Sequence, residues 1–324
     1  MRMMFVAIAC LAGATVMSAQ APEPAPVLKV PSTLSGHTAA VNNMAFHPDG
    51  KTIATPSSDK TVRIWDGTTG EHTATLVGHT DSVIEAAFSP NGKILATVSC
   101  DGTIRLWDGP GWKKCRTIEG PGGGLFHAAF SPDGKSLAAV MVDGPLMVFD
   151  VATGKLLRKL GRAAFGCVQY TPDGKSLLVV DDKIVKLVDA KTGRIVSIYA
   201  GHTKNLRIAV ISSDGKRIAS SGEDGVIKLW DVASGKNTAS LTGHTGFVCG
   251  LAFTPDGKTL ASASFDKKVK CWDVRAGREV ASLEGHTGEV WSVSFSPDGK
   301  TLASGGFDKT TRLWAVPGGE KSRK

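Results

Sequence analysis

The 324-residue chain carries none of the local signatures by which common enzymes and metalloproteins are recognised. It has no nucleophile elbow, no His-Glu-x-x-His, no Cys-x-x-Cys-His and no unique carboxylate pair. Cysteine is scarce, with six residues in all, and Cys10 lies in an N-terminal apolar stretch. The other five, Cys100, Cys115, Cys167, Cys249 and Cys271, are odd in number and lack metal-ligand spacing. Neither a disulfide framework nor a zinc site is expected, and no cofactor is implied. Helical periodicity is missing throughout the repeating part of the chain, which argues against alternating βα units.

What the chain does have is a repeat. Gly36, Gly78, Gly120, Gly161, Gly201, Gly243 and Gly285 open seven units. Trp65, Trp107, Phe149, Val188, Trp230, Trp272 and Trp314 stand near their ends. Both series advance by 42 residues, shrinking to between 39 and 41 around the fourth unit. A period of this length implies one supersecondary element repeated, with a core that exists only between neighbours.

The sixth unit is the clearest. An apolar run, Phe247 to Phe253, ends at Thr254-Pro255-Asp256-Gly257, a tight-turn sequence. Thr259 to Ser264 is a second short strand, and Val269 and Cys271 alternate with lysines in a third. After Asp273 to Gly277 the chain turns again, and Glu279 to Leu283 is a fourth. An all-β fold of seven four-stranded antiparallel sheets follows, one sheet per unit.

Repeated four-stranded units carrying Gly-His and Trp-Asp resemble the WD-repeat β-propeller family over about residues 28 to 316. The resemblance implies a seven-bladed ring with a His, Ser/Thr, Asp, Trp hydrogen-bond network in each intact blade. Those networks map to His37, Thr55, Asp59 and Trp65 in the first unit, and His79, Thr97, Asp101 and Trp107 in the second. The fifth holds His202, Ser220, Asp224 and Trp230, and the sixth His244, Ser262, Asp266 and Trp272. The seventh holds His286, Ser304, Asp308 and Trp314. Five identical His/Ser/Asp sets, each with a Trp, read as structure and not as a catalytic triad, which is one constellation in one cleft.

Two units depart from the pattern. In the third, Pro121, Ala139 and Phe149 replace His, hydroxyl and Trp, leaving Asp143. In the fourth, Arg162, Val179 and Val188 do so, with Asp182 kept. Their strand pattern survives, so the blades are expected to form without the network. The glycine-rich Gly120 to Gly124 lacks the Lys-Ser/Thr of a phosphate loop. The last unit stops after its third strand, while Val27 to Leu34 precedes the first Gly-His, so the N-terminal segment is expected to complete the last blade and close the ring.

The organisation expected is a signal peptide over residues 1–19, a Pro/Ala spacer over 20–26, the propeller over 27–317 and a basic tail over 318–324. Met1-Arg2, a roughly 15-residue apolar run and Ser18-Ala19 have the form of a cleaved secretory signal, which is short for a membrane span. The chain is thus expected to be an exported, bacterial-type member that is periplasmic or extracellular, touching a membrane only if this segment stays uncleaved. Net charge is +8, one less without Arg2. Much of it is a lysine after each hairpin glycine, on one face of the ring: Lys51, Lys93, Lys135, Lys175, Lys216, Lys258 and Lys300. An acidic residue precedes nearly every one of those glycines, so this face reads as solvated turns, and nucleic acid is not expected as a partner.

The resemblance also implies a platform for proteins or peptides, on the face opposite the lysines. Its contact positions lie three and five residues after the His and one before the network Asp. Phe247, Phe265, Trp291 and Phe307 fall there in adjacent blades, beside Arg207 and Glu289. An exposed aromatic group flanked by charges is the composition of an interaction hot spot. The expected function is a non-enzymatic binding scaffold, monomeric as a ring. The alternatives are a propeller enzyme acting on a small molecule or glycan in the central channel, and a permanent subunit of an envelope complex.

Overall fold

The computed structural model describes residues 32–120, 122–141, 144–163 and 167–316, the side chains of Cys115 and Ala163 apart. The expected signal and spacer, Val27 to Pro31 and the 318–324 tail lie outside these residues, as do Pro121, Val142, Asp143 and Gly166. Every described element is a strand, and they form seven separate four-stranded antiparallel sheets. The architecture is a seven-bladed β-propeller.

Turn chemistry builds each blade. Between the first and second strands of blade 6, Val248–Phe253 and Thr259–Ser264, Asp256 accepts the Lys258 amide at 3.0 Å and the Thr254 hydroxyl at 2.7 Å. Gly257 closes the turn at φ +66, a conformation that a Cβ would strain. The same bond to the lysine amide recurs at Lys51, Lys93, Lys135, Lys175, Lys216 and Lys300. The acceptor is Asp in all but one of these, and Asn91 serves for Lys93. Asp256 also stands 3.4 Å from the Lys258 ammonium, so part of the basic face is neutralised locally.

The ring closes where the repeat leaves a gap. Ser32–Leu34 pairs antiparallel with Thr311–Ala315, with Thr33 opposite Arg312, so the seventh sheet draws its outer strand from the start of the chain. Leu34 then packs with Val41, Met44, Ile53, Trp65, Ala303 and Leu313 between blades 7 and 1. The remaining core clusters also sit between neighbouring blades. No blade can bury its apolar faces alone.

The third and fourth blades keep all four strands. Phe149 is buried among Leu106, Leu137 and Met147 where other blades place Trp, and Val188 is buried among Leu177, Val179 and Tyr170. Packing thus substitutes for hydrogen bonding. Tyr199, in the outer strand of blade 4, is also buried and donates its hydroxyl to Val232 O of blade 5 at 3.2 Å.

Candidate partner-binding face

The hydrogen-bond networks come first, because they hold the loops that form the face opposite the lysine turns. In blade 6, His244 Nδ1 donates to Asp266 at 2.7 Å, which leaves Nε2 to accept the Ser262 hydroxyl proton at 2.8 Å. Trp272 Nε1 donates to the same Ser262 oxygen at 2.8 Å. Asp266 also takes the amides of Thr245 and Lys268, tying the inter-blade loop to the turn that follows the second strand. Blades 1, 2, 5 and 7 repeat the arrangement at His37, His79, His202 and His286. Burial holds the ring of His244 below its ordinary pKa, although Asp266 pulls it up. The five hydroxyls at Thr55, Thr97, Ser220, Ser262 and Ser304 are sealed from solvent.

On the face these networks support, the aromatic residues form two pairs. Phe247 and Phe265 stack in blade 6, centroids 5.3 Å apart. Trp291 and Phe307 tilt together in blade 7 at 5.8 Å. Phe247 is 44% exposed, Phe265 36% and Phe307 59%, while Trp291 is half-buried and donates Nε1 to Glu289 Oε2 at 3.1 Å. Local backbone bonds set the pairs, Phe265 N donating to Phe247 O and Phe307 N to Glu289 O. Phe247, Phe265, Trp291 and Arg207 border one cavity of about 500 Å³ at the mouth of the channel. Phe307 and Glu289 stand outside its lining. Arg207 lays its guanidinium over the Phe126 ring, 4.4 Å from the centroid.

Not every contact position faces solvent. Asn42 is buried, and its amide donates to Val83 O at 2.7 Å, stapling blade 1 to blade 2. Cys249, half-buried, donates its thiol to Val290 O of blade 7 at 3.2 Å.

A polar group on the channel wall was missing from the sequence reading. Asn43, Glu85 and His127 occupy equivalent places in the repeat: Glu85 and His127 lie in the first strands of blades 2 and 3, and Asn43 stands just ahead of the first strand of blade 1, bridged to Glu85. The buried Glu85 carboxyl accepts the Ala128 amide at 2.5 Å and lies 3.1 Å from His127 Nδ1, and Asn43 Nδ2 donates to His127 Nε2 at 3.2 Å. Burial raises Glu85 well above its ordinary pKa against the pull of that amide. Burial and the charge of Arg207 push His127 down to about 4. His127 is therefore neutral near pH 7, and burial favours the protonated form of Glu85. A signal existed: Glu85 is a carboxylate inside an otherwise apolar strand, where sister units hold Ile208, Gly250 or Ser292. Nearby, burial pushes the thiols of Cys167 and Cys249 up to about 12. Cys100, Cys167, Cys249 and Cys271 are free thiols, and no His/Cys/Asp/Glu group among the described residues is placed to hold a metal ion.

Five stretches, 28–66, 70–108, 193–231, 235–273 and 277–315, match the family described as WD domain, G-beta repeat. The chain belongs to that family. The unmatched middle of the chain holds the third and fourth WD units, whose networks are lost. One stretch of 38 residues is 55% identical to the Notchless protein homolog of Arabidopsis thaliana, covering 12% of this chain and 8% of that protein. Another of 49 residues is 45% identical to Protein Mut11 of Chlamydomonas reinhardtii, covering 15% and 13%. A third of 46 residues is 50% identical to WD repeat-containing protein 1 of Gallus gallus, covering 14% and 8%. The matched stretches thus span about one WD unit, a small fraction of each relative.

A second exposed apolar group lies on the rim of the ring. Leu156 and Leu157 in blade 3 and Ile195, Val196 and Ile198 in blade 4 are exposed on outer strands. The corresponding strands of blades 1 and 5 read His-Thr-Ala-Thr-Leu and Asn-Thr-Ala-Ser-Leu. The two blades without the network are therefore the two with an apolar outer edge.

Proposed function

We propose that this WD-repeat propeller is a non-enzymatic scaffold that binds a protein or peptide through the face bearing Phe247, Phe265, Trp291 and Phe307, with Arg207 and Glu289 beside them. One observation carries the reading: two aromatic pairs in adjacent blades leave three phenylalanines exposed on a rigid rim around a cavity. Large aromatic side chains left in water, flanked by charge and held by backbone bonds, are the anchors that protein interfaces use. The non-enzymatic part is supported by the fate of the reactive-looking groups. The network hydroxyls are sealed and already accept a Trp N–H, the channel carboxyl is buried on the Ala128 amide, and the imidazole beside it takes the Asn43 amide. The ring needs no second copy to close and is proposed to be monomeric by itself.

The exposed edge of blades 3 and 4 favours a second reading, permanent membership of a larger envelope assembly, in which those apolar strands are covered. Export itself is part of the proposal and rests on the sequence of residues 1–19 alone. N-terminal sequencing of the protein from its source, giving Gln20 as the first residue, would support it; an intact Met1 would count against cleavage.

A photo-crosslinking residue placed at Phe307 and, separately, at Lys258 tests the binding face in the producing cells. Adducts to one partner protein from position 307 and none from 258 support the proposal. Adducts from 258 alone would move the site to the basic face. A partner that co-purifies stoichiometrically and crosslinks only from position 196 would favour the assembly reading.

A further inference from the structure

Resting on that reading of the face, the geometry points to the chemistry of what it binds: we propose that the channel mouth receives an Asp or Glu side chain of an extended apolar peptide segment, with Arg207 as its anchor. The cavity has the size of a ligand pocket and mainly apolar walls. Among the described residues Arg207 is its one lining Lys or Arg, over the Phe126 ring and half-buried. Among the described residues no carboxylate lies within ion-pair distance of it. Burial works against its charged form, and the thiols of Cys249 and Cys167 beside it, pushed up to about 12, stay protonated and supply no countercharge. The nearby carboxyls are occupied or out of reach. Glu85 is buried on the Ala128 amide, Glu289 holds the Trp291 indole, and Glu223 is exposed at the mouth without an ion pair to Arg207.

A guanidinium cannot shed its proton to relieve this, so a partly desolvated, unpaired Arg is a standing site for an anion. Its planar fork matches a carboxylate with two parallel hydrogen bonds. One cation suits one negative charge, and Glu223 at the mouth disfavours a dianion such as phosphate. Phe247, Phe265 and Trp291 border the same cavity, so apolar neighbours of the acidic residue lie over blades 6 and 7 while its carboxylate reaches Arg207.

The test uses pools of acetylated, amidated octapeptides, otherwise randomised over apolar residues, with a fixed central Glu, Gln or Lys. A fourth pool has central Gln and a free C-terminal carboxylate. Each is passed over the immobilised full chain and retention is measured. The expected result is retention of the Glu pool about tenfold above the Gln and Lys pools, with loss of that preference in Arg207→Met and partial loss in Arg207→Lys. Unchanged melting of both variants shows that the ring is intact, and Arg207→Lys keeps the test decisive if Arg207→Met unfolds. Equal retention of the Glu and Gln pools, or preference for Lys, overturns the assignment of a carboxylate. Retention of the fourth pool above the Glu pool overturns the assignment to a side chain. If pools bind through Phe307, as shown by loss in Phe307→Ala, yet ignore Arg207, this inference fails and the binding face stands. If no pool is retained, both fail.

Discussion

Replacing Trp272 by Ala removes a side chain that is 1% exposed, packed between blades 5 and 6, and bonded to Ser262 at 2.8 Å. Truncating a buried aromatic of this kind costs about 3–5 kcal/mol. The sealed Ser262 hydroxyl also loses a donor, worth about 0.5–1.5 kcal/mol more. Val188, its counterpart in blade 4, is also buried but has no side-chain group to make such a bond. Losing two methyl groups there costs about 1.6 kcal/mol, plus a small cavity term. The urea midpoint, followed by far-ultraviolet circular dichroism with thermal melts as a check, should therefore fall at least twice as far for Trp272→Ala as for Val188→Ala. Trp272→Phe separates the two contributions, since it keeps most of the volume and deletes the N–H, and should cost about 1–2 kcal/mol. Equal midpoints for Trp272→Ala and Val188→Ala would refute the division between networked and packed blades.

Acid should weaken the ring in two stages. His37, His79, His202 and His244 sit below 6.5 when folded because burial disfavours the cation, so their contribution is complete above that pH and declines as pH falls below it. Asp59, which burial pushes up but hydrogen bonds from Thr61 and His37 hold down at about 2, adds a second decline below 3.8. Glu85 has the opposite sign: burial raises its folded pKa above 4.5, so stability drains away as pH rises past that value and the melting advantage of Glu85→Gln should widen as pH is raised above 4.5. A constant gap would show that Glu85 is ionised in the folded ring. Truncation to Gly36 removes Ser32–Leu34 and exposes the edge of Thr311–Ala315, and light scattering should report aggregation. A monomer with an unchanged melt would refute the closing strand.

The repeat made the architecture legible because a 42-residue period with turn chemistry at fixed offsets leaves few ways to bury the apolar strands. The Thr254 to Gly257 turn could be read directly and the strand limits of the sixth unit to within one residue, as could the pairing of the N-terminal segment with the last strand. The individual networks were readable for the same reason: His, hydroxyl, Asp and Trp recur together, and their chemistry satisfies one another. The channel was not legible. Asn43, Glu85 and His127 belong to three different blades, and nothing along the chain states that their strands line one wall. Burial at the contact positions was hidden for a related reason, since Asn42 is buried by a bond to the next blade and Phe307 is exposed at an equally regular place in the repeat. The apolar edge of blades 3 and 4 is not marked by the residues those units lack; its signal lies in what their outer strands have gained.

Affinity measured across the two faces tests the central claim most directly. With the partner obtained by capture on the wild-type ring, Kd is determined for Trp291→Ala, Phe307→Ala, Lys258→Ala and Lys300→Ala, each first shown to melt as wild type. The account predicts that each aromatic truncation weakens binding by about 2 kcal/mol or more, close to thirtyfold, while the lysine changes alter little beyond the salt dependence. Loss of binding in the lysine variants with silent aromatic ones would contradict it.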